Sequence, residues 1–222
     1  KEQRGYITPQ EFNLFADQAQ MEIFEQYFYD LSQFKRIHGN DGEYSDIVSI
    51  IKDKISQFEF WAVGDNITVL NQYGDINLEN DIPDLYRLGE VSRRGIMCEQ
   101  LSPKEFTVYS RGSLTKYSNS HPVFVKYHNN YDRIKIYPWP QSGDGIRADY
   151  IRKPKNPNWG YVVVNDKALY NSTASQDFEL HLSEESELVY RILAFAGIAI
   201  EKPQLMQAAM ELEGAKIQQE KN

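Results

Sequence analysis

The sequence predicts an α+β protein: helices from the two ends of the chain form one bundle, and an antiparallel β region is inserted between them. Three observations predict it. Apolar residues recur at helical spacing from Phe12 to Phe58 and again from Val189; short β-rich runs fill the middle; and helix-capping residues precede the first and last helical stretches. The expected division is 1–60 with 183–222 as the bundle and 61–182 as the β-rich lobe.

Thr8-Pro9-Gln10-Glu11 places a hydroxyl at the cap, proline at the first helical position and glutamate at the third, which satisfies the orphan amides of a helix start. Phe12, Phe15, Ala19, Ile23 and Tyr27 follow at spacings of three and four, and Phe24, Phe28 and Leu31 widen the stripe. This helix is expected to reach about Phe34. The turn formers His38-Gly39-Asn40-Asp41-Gly42 then reverse the chain, and Ile47, Ile50, Ile51, Ile55 and Phe58 supply a second helix, completing a helical hairpin.

From Ala62 the pattern becomes β, with runs at Ile67–Leu70 and Tyr86–Val91 broken by Gly74, Asn80 and Pro83. Ser102-Pro103-Lys104-Glu105 repeats the capping box, so one or two helical turns are expected before Gly112. Val123–Tyr127, Arg133–Tyr137 and Ile146–Arg152 read as an antiparallel meander, joined through Asn129-Asn130 and Gly143-Asp144-Gly145. Lys153-Pro154-Lys155-Asn156-Pro157-Asn158 lacks two amide donors and reads as an exposed, extended connection; Tyr161–Val164 resumes β character. Ser183 is the expected cap of the next helix, with Glu184, Glu185 and Glu187 against its positive dipole end and Val189, Ile192, Leu193 and Ala196 as its buried face. Pro203 should end or kink it, and Leu205, Ala208 and Leu212 space a final polar helix.

Composition excludes several classes. Fifteen Tyr, 11 Phe and 3 Trp supply the aromatic mass that disordered chains lack. The most apolar segment, Leu188–Ile200, is interrupted by Tyr190, Arg191 and Gly197, so no membrane span is expected. Lys1–Gln20 has no secretory pattern and Cys98 is the only cysteine; both imply an intracellular, reducing setting without disulfides, and residues are expected to precede Lys1. Net charge is −8 but uneven: residues 83–160 hold 13 Lys+Arg against 7 Asp+Glu. A basic middle between acidic ends favours head-to-tail association of copies, whereas a pI near 5.1 argues against a dedicated nucleic-acid binder.

No catalytic constellation is legible, and no cofactor or metal is expected. His38, His121, His128 and His181 lack metal-ligand pairing; no phosphate loop or nucleophile elbow exists; Gly143-Asp144-Gly145 precedes a strand where a nucleotide site needs a helix start. Cys98 has only Arg93 and Arg94 nearby to activate it and reads as packing.

Gly5-Tyr6-Ile7-Thr8-Pro9-Gln10-Glu11-Phe12-Asn13 and Gln18-Ala19-Gln20-Met21-Glu22-Ile23-Phe24-Glu25-Gln26-Tyr27-Phe28-Tyr29-Asp30 resemble the opening of small structural proteins of phages of gut Bacteroidetes, including crAss-like phages. Ile82-Pro83-Asp84-Leu85-Tyr86-Arg87-Leu88, Ile136-Tyr137-Pro138 and Asp149-Tyr150-Ile151-Arg152-Lys153-Pro154 resemble the β portion of the same proteins. Glu184-Glu185-Ser186-Glu187-Leu188-Val189-Tyr190 with Leu193-Ala194 is similar to the ending of tail tubular and head–tail adaptor proteins of short-tailed phages.

The resemblance implies a non-enzymatic ring of about twelve copies in the head-to-tail connector, located in the virion and made in the host bacterial cytoplasm. Its implied partners are further copies, the portal, neighbouring ring or tail proteins, and DNA in passage; no membrane is implied. The aromatic, proline-flanked stretch supplies the candidate interface residues Tyr150, Arg152, Lys153 and Trp159, with Trp159 equally able to pack on its own sheet. Other readings are a tail-completion, cargo or scaffolding component; a hydrolase whose carboxylates meet only in the fold; and a nucleic-acid module using Arg93, Arg94, Lys126, Arg133, Lys135, Arg147, Arg152 and Lys153.

Overall fold

The computed structural model describes residues 7–36, 42–63, 75–82, 84–113, 116–127, 133–141, 144–165, 167–199, 207, 208, 210–212, 214 and 215. The protein is α+β and divides into two units, one made of residues 1–57 with 154–222 and one of 58–153.

In the first unit, helix α1 (Pro9–Arg36) starts on the anticipated capping box: the Thr8 amide donates to Glu11 Oε2 at 2.9 Å and the Glu11 amide to Thr8 Oγ1 at 3.2 Å. Its buried stripe is Ala16, Ala19, Gln20, Ile23, Phe24 and Tyr27. Helix α2 (Gly42–Ser56) packs on it through Ile51 and Ile55, with the Lys54 ammonium 5.8 Å from the Tyr27 ring centroid. The anticipated turn at His38–Gly42 lies almost wholly outside the described residues.

The second unit holds two four-stranded sheets. β1 (Glu59–Val63), β3 (Leu85–Arg93), β4 (Ile96–Met97) and β8 (Ile146–Arg152) form one, in the order β1-β8-β3-β4. β2 (Asp75–Asn77), β5 (Glu99–Leu101), β6 (Val123–Tyr127) and β7 (Arg133–Tyr137) form the other, in the order β2-β7-β6-β5. Between them in sequence lie the short helices α3 (Leu78–Asp81) and α4 (Pro103–Tyr109). Every pairing within the two sheets is antiparallel except β5–β6, whose parallel register is bridged by α4 and its Ser102–Glu105 capping box.

Both sheets contribute to one core: Ala62, Val91, Ile146 and Ala148 from the first, Ile76, Phe124, Ile134 and Ile136 from the second. β6 is buried on both sides, so it reads as a continuous apolar run. Its second face, Val123 and Val125, is covered by α4 and by stacked Phe106, Tyr117 and Tyr137, with the Phe106 and Tyr137 rings 4.3 Å apart.

The expected meander is wrong at its third strand. β6 and β7 do pair, but β8 leaves them for the other sheet, between β1 and β3. Pro138 and Pro140 carry no amide donors to continue the β7 ladder, and Arg93 of β3 holds the carbonyls that follow. The β3–β4 hairpin turns on Arg94 and Gly95, both at positive φ (52° and 77°), a turn that suits the twist of its strands. The β pattern also begins at Glu59, three residues before the expected Ala62, whereas Ile67–Leu70 lies outside the described residues.

Residues 154–182, expected in the β lobe, belong to the helical unit. They carry a two-stranded hairpin, β9 (Tyr161–Val164) and β10 (Lys167–Tyr170), and an isolated bridge from Asn158 to Gln176. The proline-containing connection is not simply exposed: Pro154, Pro157 and Gly160 are buried. A Cβ on Gly160 would lie 2.6 Å from the Ala174 carbonyl carbon and 2.7 Å from the Asn171 oxygen, so the chain passes there too closely for any side chain.

Helix α5 (Glu185–Ala199) closes this unit. Ser183 is not its direct cap; a single 3₁₀ turn, Leu182–Glu184, precedes it, with His181 Nδ1 accepting from the Ser183 amide at 3.3 Å. The buried face is also rotated from expectation. Glu184, Glu187, Leu188, Ala194 and Ala196 are buried, while Val189 and Leu193 are exposed. The reason is that Glu184 and Glu187 have cationic partners inside, Lys54 and Arg191, so the acidic edge turns inward. Pro203 lies outside the described residues; 207, 208, 210–212, 214 and 215 have helical backbone and are exposed.

Candidate interaction surfaces

Two positions on α1, seven residues apart and thus on one face, determine how the 154–182 segment is held. The Asn13 side chain clamps one peptide: its Oδ1 accepts from the Trp159 amide at 2.7 Å and its Nδ2 donates to the Trp159 carbonyl at 3.4 Å and to Asn158 Oδ1 at 2.8 Å. Gln20 is fully buried; its Nε2 donates to the Lys155 carbonyl at 2.8 Å and its Oε1 accepts from the Glu179 amide at 2.9 Å. Both amides act as substitutes for a missing β neighbour.

Held in this way, Trp159 stacks near-parallel on Tyr161 and Tyr170, at 5.9 and 6.5 Å between centroids. Trp159 and Ala168 form one wall of an apolar slot of about 460 Å³; Ile7, Thr8, Pro9 and Phe12 at the start of α1 form the other. The hairpin beyond is exposed: Val162, Val163, Val164, Leu169 and Tyr170 all reach solvent, Val163 at 62%. A second cavity, about 330 Å³, lies where Ile23, Tyr27, Ile47 and Ile51 meet Lys54 and Glu184. Within it Lys54 pairs with Glu184, and the lining residues Glu187 and Gln26 bond Arg191, which also reaches Glu22.

In the β unit, Arg93 is the organising residue. Only 5% of its side chain is exposed, yet it reaches Asp144 Oδ2 through Nε at 2.8 Å and Nη2 at 2.5 Å, and the Pro138 carbonyl at 2.8 Å. Asp144, with 2% of its side chain exposed, also accepts from Arg94 Nε at 2.5 Å and the Gln141 amide at 3.0 Å. Burial pushes the Asp144 carboxyl up, but the Gln141 amide and the two guanidiniums outweigh it and hold it below the ordinary carboxylate value. This node fixes the backbone of Pro138–Gln141 and leaves the Trp139 side chain half exposed (50%).

The four residues named from sequence fall in different units. Tyr150, Arg152 and Lys153 are at the end of β8, and Trp159 is in the helical unit. Tyr150 packs against the β core, and its ring and the Arg152 guanidinium both meet Phe60, at 6.2 and 4.9 Å. Lys153 is exposed and its amide donates to the Asp84 carbonyl at 2.8 Å. Trp159 both packs on its own hairpin and lines the slot. Sequence reasoning missed Asn13, Gln20 and the Arg93–Asp144 pair as organising residues, and Trp139 as an exposed aromatic.

The cationic cluster considered for nucleic acid is partly committed elsewhere: Arg93 is buried in its ion pair, and Lys135 bonds Asp75 at 3.1 Å beside the Tyr127 ring. Among the described residues no group of three or more His, Cys, Asp or Glu side chains is placed to hold a metal ion. Among them also, no helix is long and apolar enough to cross a membrane. His121 and His181 are exposed, and His38 and His128 lie outside the described residues.

Cys98 is buried beside Arg93; burial drives its thiol up to about 11, against the lowering pull of that guanidinium. Native protein at pH 8 is therefore expected to react with a thiol-alkylating reagent far more slowly than the unfolded chain. Equal alkylation rates in native buffer and in denaturant would show the thiol to be open. No protein-family model matches the sequence, and no curated protein matches it significantly.

Proposed function

We propose that this chain is a structural virion protein that assembles into an oligomeric ring in the head-to-tail connector of a tailed phage, joining portal to tail around the DNA passage. The observation that carries this reading is the β9–β10 hairpin. A two-stranded ribbon is marginal in water by itself, and here Val162, Val163, Val164, Leu169 and Tyr170 add apolar side chains to unprotected edges. Such an element suits a protein whose working state has neighbours.

Two further features support it. Leu182, Val189 and Leu193 form an exposed apolar stripe along the α5 side of the helical unit, suited to lateral contact between copies. The β unit, 58–153, carries 12 Lys+Arg and 12 Asp+Glu, so the whole net charge of −8 sits on the helical unit; an acidic wall lets DNA pass without adhering. The strings that resemble phage connector proteins occur in both units. Partners on this reading are about twelve copies in a ring, the portal and the adjoining ring or tail proteins; its place is the virion, after synthesis in the host cytoplasm.

The test is the mass and symmetry of the purified chain, alone and with its portal, by native mass spectrometry and negative-stain electron microscopy. Closed rings, free or formed on the portal, are expected. A chain that stays monomeric in the presence of the portal overturns the reading.

A further inference from the structure

The cavity between α1 and α2, about 330 Å³, lies at the lower end of the range for small-molecule sites, roughly 300–1,000 Å³. Ile23, Phe34, Ile47, Ile50 and Ile51 give it apolar walls, and three carboxylates, those of Asp30, Glu184 and Glu187, join them. Two of the three have counter-ions inside the unit. Lys54 pairs with Glu184, and Arg191 with Glu187, Nη2 to Oε1 at 2.5 Å. Asp30 has no hydrogen bond or ion pair among the described residues, so the cavity keeps one carboxylate without a counter-charge there.

The surroundings of Asp30 define what suits it. It follows Tyr27 by three residues and precedes Phe34 by four, so one face of α1 brings ring, carboxylate and ring to the cavity in succession. Aromatic faces attract organic cations as carboxylates do, and the two effects act together. The unit already uses this pairing once: the Lys54 ammonium lies 5.8 Å from the Tyr27 centroid and bonds Glu184. A bare divalent cation is a poor match, because it needs several oxygen ligands, and among the described residues no group of three or more His, Cys, Asp or Glu is placed to hold one. An anion is opposed by the field of the helical unit, which holds 12 Lys+Arg against 20 Asp+Glu and draws cations in.

We propose that this cavity binds a small organic cation, an ammonium group carried on an apolar chain or ring, with Asp30 as its counter-ion and Phe34, Ile47, Ile50 and Ile51 around its hydrocarbon. The site lies within one subunit, so it goes beyond the ring reading and does not depend on it. The unfolded chain has no such cavity, and the bound cation therefore stabilises the helical unit.

Hexylammonium is the probe, titrated calorimetrically at pH 7 into the full-length protein, with 1-hexanol and hexanoate as its neutral and anionic counterparts. One saturable site per chain is expected for hexylammonium, with binding of both counterparts weaker by about tenfold or more. Asp30→Asn is expected to weaken hexylammonium about tenfold and to leave 1-hexanol unchanged, while Asp30→Glu keeps the charge and most of the affinity. Ile50→Gln alters the apolar wall at a position that is 55% exposed, and is expected to weaken hexylammonium and 1-hexanol alike. Unchanged circular dichroism confirms that each variant folds.

Absence of saturable hexylammonium binding, equal binding of hexanoate, or undiminished affinity in Asp30→Asn overturns the proposal. The polar amides of Nα-acetyl-lysine methylamide suit the apolar walls poorly, so it is expected to bind more weakly; equal affinity would make the occupant a partner's lysine side chain and overturn the free cation as well. None of these outcomes bears on the ring reading, which mass and symmetry decide.

Discussion

Asp144→Ala is expected to unfold the β unit under conditions where the wild type is stable, at a cost of about 3–5 kcal/mol. The carboxylate is the ion-pair partner of a guanidinium that is itself buried, and removing it leaves the Arg93 charge desolvated with only neutral oxygens to bond, those of Asn119, Pro138 and Trp139. The same change frees Arg94 and the Gln141 amide, so the β3–β4 turn and the Pro138–Gly145 connection lose their common anchor. Urea titration followed by tryptophan fluorescence measures the effect. A midpoint within experimental error of the wild type would mean that the pair carries no net stability.

The same residue gives the β unit an acid dependence of defined sign. The folded state holds Asp144 below its unfolded value of about 3.9. The unfolded chain therefore takes up the proton first, so the carboxylate contributes stability above about pH 4 and that contribution is lost as pH falls through the folded value. Asp144→Asn should flatten the acid limb of the stability curve for this unit.

Gln20→Met is the second substitution with a large expected effect. Methionine has similar length and fills the same buried volume, but it neither donates to the Lys155 carbonyl nor accepts from the Glu179 amide. Two backbone groups are left without partners, at about 1–3 kcal/mol each. Hydrogen-exchange mass spectrometry should localise the damage: peptides covering 155–160 and 176–180 lose protection, while β6 and β7 keep theirs. Unchanged protection of the Glu179 amide would show that Gln20 is not its partner.

The sequence made the termini of the elements readable where a side chain closes a local ring. Thr8 with Glu11 and Ser102 with Glu105 are pairs three residues apart, and both formed as read. Partner choice was not readable. The alternation of Ile146, Ala148 and Tyr150 fixes which face of β8 is apolar but not which sheet it joins, because both sheets present the same kind of inner face to one core.

The α5 register failed for a related reason. Val189 and Leu193 look like core positions, and Glu187 and Arg191 do not; mutual pairing of charges reverses that order. Asn13 and Gln20 were visible as polar residues at apolar positions of α1. They fall on the stripe of Ala16, Ile23 and Tyr27, and a polar side chain buried within an apolar stripe is one that has found a backbone to bond.

The division of the chain affects how the protein is born. Residues 58–153 are continuous and carry their own core, so they can fold as soon as they leave the ribosome. Helix α1 emerges first but cannot complete its unit until residues 155–191 have been synthesised, because Gln20 waits for Lys155 and Glu179, Asn13 for Trp159, and Glu22 for Arg191. At the roughly 5–20 residues per second of translation, the side of α1 that α2 does not cover stays open for many seconds. During that interval nascent copies on neighbouring ribosomes can meet through it, so this unit, although it opens the sequence, is the last to mature and the one most in need of chaperone cover.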